Sequence, residues 1–143
     1  MPRLIRTLVV LGCLVIPVAC NDPGNPLPGV DVSLSVSSSI IRDNETITVT
    51  TTFQNIGWRE AFVPSKSCGP LFSVIAADGQ PLELWAGPCS LELPPPLRLR
   101  PGERAQFTGT WDGRDRHGIR TPGDYRLAVR TFGGNAVVVR VLE

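Results

Sequence analysis

The chain has 143 residues, a formal net charge of +1, and 42% hydrophobic against 19% charged side chains. That length supplies one ordinary core and not two. Arg3 and Arg6 are two of its 14 basic residues, so the remainder, with 13 acidic residues, is close to neutral and nothing steers it toward nucleic acid.

The first predicted element is a leader. Arg3 and Arg6 precede an apolar run from Leu8 to Val18, which closes at Pro17-Val18-Ala19-Cys20. A positive start, a short apolar middle and a small residue before the cut form an export signal. The run is shorter than the roughly 20 residues that cross a bilayer. Its last four residues resemble the lipobox of bacterial lipoproteins, which implies cleavage after Ala19 and lipid on Cys20. A plain cleaved signal with a free Cys20 is the alternative. Residues 1–19 are thus a signal, and 20–29 a lipidated cysteine with its tether. Asn21 to Gly29 holds three prolines and two glycines, and an extended chain of that kind reaches about 25 Å. The implied location is the bacterial envelope, at the outer membrane or the outer face of the cytoplasmic membrane, with lipid on Cys20 as the membrane contact.

From residue 30 to 143 the pattern is alternation. Val30, Val32, Leu34 and Val36 share one face, and Ile47, Val49, Thr51 and Phe53 repeat it in a β-branched run. Asn55-Ile56-Gly57 breaks the chain before Trp58 to Val63. Asp78-Gly79 makes a hairpin of Leu71 to Ala76 and Pro81 to Trp85. Pro94-Pro95-Pro96 is an exposed crossing loop. Pro101-Gly102-Glu103 introduces Ala105 to Trp111, and Gly133-Gly134-Asn135 joins Tyr125 to Phe132 with Ala136 to Leu142. These signals predict an all-β fold, an immunoglobulin-like antiparallel β-sandwich of about seven to eight strands. Between Trp111 and Tyr125, Asp112-Gly113, Gly118 and Pro122-Gly123 describe a long corner, onto which Tyr125 can return its hydroxyl.

Two cysteines, Cys68 and Cys89, remain in a domain bound for an oxidising compartment, and an even pair there reads as a disulfide. Closing a loop of about 20 residues is worth roughly 3 kcal/mol. Metal ligation and a reactive thiol are the alternatives, and zinc wants four ligands. Chemistry has little to work with. His117 is the single histidine and reads as an exposed turn residue rather than a base. Asp112, Asp115 and Asp124 read as turn caps rather than calcium ligands. No glycine-rich loop leads from a strand to a helix. No catalytic residue, metal, cofactor or small-molecule substrate is expected. Trp58, Trp85 and Trp111 offer an aromatic platform, but the phase of Trp85 and Trp111 favours the core.

A longer order of motifs carries a family resemblance. Ile47 to Phe53 leads to Phe62-Val63-Pro64-Ser65, then Phe72, Asp78-Gly79 and Trp85. Leu99-Arg100-Pro101-Gly102-Glu103 follows, then Phe107, Trp111-Asp112 and Gly123-Asp124-Tyr125. This order, over roughly residues 45 to 130, resembles the BsuPI family of immunoglobulin-like domains, named after an intracellular proteinase inhibitor of Bacillus. The resemblance implies a protein partner, with a protease as the first candidate. Two loops are expected to reach it: Pro64 to Pro70, with Pro64, Ser65, Ser67, Gly69 and Pro70, and Gly87 to Pro96, with Leu91, Pro94, Pro95 and Pro96. The rival reading is an accessory lipoprotein of an envelope assembly without inhibitory activity.

Overall fold

A computed structural model describes residues 27–65, 69–84, 94–130 and 134–143. Every regular element among them is a strand. In chain order they are β1 (Val30–Val36), β2 (Ile40–Ile41), β3 (Ile47–Asn55), β4 (Ala61–Val63), β5 (Phe72–Ala76), β6 (Pro81–Leu82), β7 (Leu97–Leu99), β8 (Arg104–Trp111), β9 (Gly123–Val129) and β10 (Ala136–Val141). The all-β expectation holds. The described strands exceed the expected seven to eight because the two- and three-residue pairings β2 and β7 fall outside the segments read as strands, while β4 and β6 are shortened forms of the expected strands at Trp58 to Val63 and Pro81 to Trp85.

They form a three-stranded sheet, β1-β3-β8, a five-stranded sheet, β2-β10-β9-β5-β6, and a two-stranded ribbon, β4-β7. All pairings are antiparallel except β2 with β10. Alternation decides what each strand buries. Val30, Val32 and Leu34 of β1 and all four of Ile47, Val49, Thr51 and Phe53 in β3 point inward, meeting Val74, Leu127, Val139 and Val141 from the larger sheet in one core. Each fully buried aliphatic or Phe side chain stabilises by about 1.5–3 kcal/mol. Phe107 meets Phe53 edge-on, with ring centres 5.9 Å apart.

The hairpin predicted at Asp78-Gly79 is present. Gly79 takes a left-handed φ of 84°, and the Asp78 carboxylate accepts from Gln80 N at 2.9 Å. Trp58 to Val63 is strand only over Ala61–Val63, because the Asn55 side chain captures Gly57 N and Arg59 O and holds the intervening residues in a turn.

Register sorts the molecule into two ends. Val30 pairs with Asn55 and Gln54 with Arg104, so β1 and β8 begin where β3 finishes. At the opposite end Val36 pairs with Val49 and Ile47 with Trp111. The outer edge of β1 is covered: the Asn135 amide accepts from Leu34 N at 2.7 Å and donates to Leu34 O at 2.9 Å. The covering turn needs glycine, since a Cβ on Gly134 would stand 2.4 Å from Val32 O.

Candidate functional site

The β4-β7 ribbon builds the site. Val63 and Leu99 are buried and fix the ribbon to the core, while Phe62 and Leu97 are 60% and 41% exposed. Pairing Val63 with Leu97 makes the segment after β4 and the segment before β7 leave from the same end. Pro64-Ser65 and Pro94-Pro95-Pro96, named from sequence on two separate loops, therefore meet. The Ser65 hydroxyl lies 2.7 Å from Pro95 O and 3.0 Å from Pro94 O and donates to them. Proline has no N–H, so this segment offers only carbonyls, and the serine supplies the donor. Such a bond is worth about 1 kcal/mol. Its effect is to join two loops while the proline rings stay exposed. Behind them Arg98 pairs with Glu60, which raises the Arg98 pKa through their hydrogen bond and charge.

Gly69 and Pro70 belong elsewhere. They lie just before β5, on the wall of an open hollow of about 840 Å³ shared with Thr48, Gly109, Trp111 and Arg114. Cys20, Ser67, Cys68, Trp85, Cys89 and Leu91 lie outside the described residues. Phe62 and Leu97, the exposed apolar residues beside the joined loops, are not legible in the sequence as such; they sit on two three-residue strands, diagonal to each other in the pairing, and leave no alternation long enough to read.

The corner from Trp111 to Tyr125 matches its expected form. The Tyr125 hydroxyl donates to Thr121 O at 2.7 Å, the Trp111 indole donates to Arg114 O at 3.0 Å, and the two rings meet edge-on at 5.3 Å. Burial pushes the Tyr125 phenol pKa up, against the opposing pull of its bond to Thr121. The aspartates act as caps and ion-pair partners. Asp112 accepts from Arg114 N, Asp115 accepts from His117 N and Ile119 N, each at 2.8 Å, and Asp124 pairs with Arg140, whose hydrogen bond lowers its pKa. His117 sits exposed in this turn, its Nε2 accepting from Arg116 Nε at 3.0 Å. Trp111 is core, as its phase predicts, whereas Trp58 is 78% exposed, with the Arg59 guanidinium 4.1 Å over its ring. No group of three or more His, Cys, Asp or Glu among the described residues is placed to hold a metal ion.

No protein-family model matches the chain, and no curated protein matches it. Solved structures do. The alkylpurine DNA glycosylase AlkC of Pseudomonas fluorescens, bound to DNA containing an abasic site analogue, matches with a TM-score of 0.54 at 14% identity, over 80% of this chain and 31% of that one. A β-glucosidase from Listeria innocua in complex with glucose matches at 0.47 and 17% identity, over 80% of this chain and 16% of that one. A CARDB domain from Pyrococcus furiosus, in complex with di-metal ions, matches at 0.45 and 17% identity, over 82% and 91%. The chain spans under a third of the glycosylase's length, and that likeness is one of fold alone.

Proposed function

We propose that this chain is a lipid-anchored, immunoglobulin-like binding module of the bacterial envelope, whose Pro64–Pro70 and 87–96 loops present a rigid surface to a protease. The observation that carries the reading is the Ser65 clasp, which ties one loop to the proline segment of the other. Preorganised loops bind with less ordering cost than mobile ones, and exposed Phe62 and Leu97 flank them with apolar surface. A Cys68–Cys89 disulfide would tie the same two loops a second time. The corner hydrogen bond of Tyr125 supports the immunoglobulin-like arrangement. The order of motifs shared with the BsuPI family makes a protease the partner to test first.

The test is titration of the exported, processed protein into a panel of serine and metalloproteases, first oxidised and then reduced. Stoichiometric inhibition that weakens on reduction is the expected result. Failure to inhibit any of them, with a stable complex recovered from membranes, would establish the accessory lipoprotein instead. In an inhibited pair, Ser65→Ala should weaken inhibition about fivefold, the loss of one hydrogen bond.

A further inference from the structure

The chain enters the fold beside an exposed aromatic turn. Gly29, the last residue before β1, accepts hydrogen bonds through its carbonyl from Ile56 N at 2.9 Å and Gly57 N at 3.0 Å. The two glycines are in contact, since a Cβ on Gly57 would stand 3.4 Å from Gly29 Cα. Ile56 and Trp58, on either side of Gly57, are 68% and 78% exposed. Large apolar side chains so exposed, both at the point of chain entry, form a patch of the kind that marks an interaction surface.

What covers this patch follows from the chain that leads to it. Gly29 lies nine positions after Cys20, and even fully extended that stretch spans no more than about 32 Å. Lipid on Cys20 would therefore keep the Ile56–Arg59 turn within that reach of the bilayer, on the end of the domain nearest the anchor, where the turn can touch the surface. The side chains suit that surface. Tryptophan collects at the boundary between headgroups and acyl chains, and arginine close to it reaches phosphate. Arg59 lies over the Trp58 ring, and exposed Arg100 and Arg104, the latter opening β8, flank the neighbouring turn, which Asn55 joins to this one by hydrogen bonds to Gly102 and Glu103. Against these three arginines stand the carboxylates of Asp31 and Glu103; Glu60 is held by Arg98.

We propose that the Ile56–Arg59 turn is a second membrane contact, with Ile56 and Trp58 in the headgroup boundary and Arg59 on lipid phosphate. The proposal rests on the lipid anchor at Cys20 proposed above. It orients the module, because the β4-β7 ribbon runs from this turn toward its joined loops, which would then face away from the bilayer.

The experiment uses the full processed protein on vesicles of phosphatidylethanolamine and phosphatidylglycerol, with and without brominated acyl chains. Flotation reports the anchor, and quenching of tryptophan emission by the brominated lipid reports the contact. Wild type should float and be quenched. Trp58→Phe, which leaves Trp85 and Trp111 as emitters, should float equally and lose that quenching. Flotation without quenching, or quenching that survives Trp58→Phe, overturns the contact and leaves the anchor standing. A processed wild type that does not float overturns the anchor, and the contact with it.

Discussion

The two ends of the domain close by different means. At the corner end the closure is aromatic: Trp111 and Tyr125 are 4% and 5% exposed, stack edge-on, and return their polar atoms to the turn that covers them. At the end where the chain enters, the closure is polar. Asn55 is 1% exposed. Its Nδ2 donates to Arg59 O at 2.7 Å and Leu99 O at 3.0 Å, and its Oδ1 accepts from Gly57 N at 3.0 Å. Its backbone N donates to Glu103 O, and its own carbonyl accepts from Gly102 N. One buried amide thus fixes three segments. A fully satisfied polar group can do the work of a buried ring, and the aromatic residue beside it is left free for the surface.

This difference makes substitutions at the two ends separable. Trp111→Ala should be the most damaging, costing about 3–5 kcal/mol from lost burial and the cavity left behind, read by chemical denaturation. Asn55→Ala should cost about 2–4 kcal/mol, since three side-chain hydrogen bonds vanish at a buried site. A much smaller loss would show that the chain-entry end does not depend on its amide. Tyr125→Phe keeps the ring contact and removes the bond to Thr121, for about 1 kcal/mol near neutral pH.

Tyr125 also predicts a pH dependence. Burial raises its phenol pKa in the folded protein, so the folded state holds the proton more tightly than the unfolded one. The stability it contributes is complete below the ordinary tyrosine range, about pH 10, and is lost as pH rises through the higher folded value. Wild type should lose stability over that alkaline window more steeply than Tyr125→Phe. Smallest of all, Trp58→Ser should change stability by no more than about 0.5 kcal/mol, because the ring it removes is exposed. A large loss there would mean that the two ends are not distinguished as described.

How much of this was legible depends on how local the cause is. The alternation in β1 and β3, the Asp78-Gly79 hairpin and the Trp111-to-Tyr125 corner were legible because each is a short-range pattern. The parallel pairing of β2 with β10 and the Asn135 cap on β1 were not, since each joins residues about a hundred positions apart, through two-residue or single-residue contacts. Asn55 reads as a turn residue, whereas it is the last residue of β3 and its side chain shapes the turn that follows; nothing adjacent announces that its amide also reaches Leu99. The loop residues Pro64, Ser65, Pro94, Pro95 and Pro96 were singled out individually. Their meeting was hidden because it depends on the β4-β7 pairing, whose three-residue strands carry too little pattern to read.

The most direct test of the proposed binding site is to replace residues 64–70 and 87–96 residue for residue by glycine and serine, keeping Cys68 and Cys89, and to titrate the result against a protease that wild type inhibits. Inhibition should disappear while the cooperative unfolding of the β-sheet core persists. Undiminished inhibition by that variant would contradict the assignment of these loops and move the partner to another face of the domain.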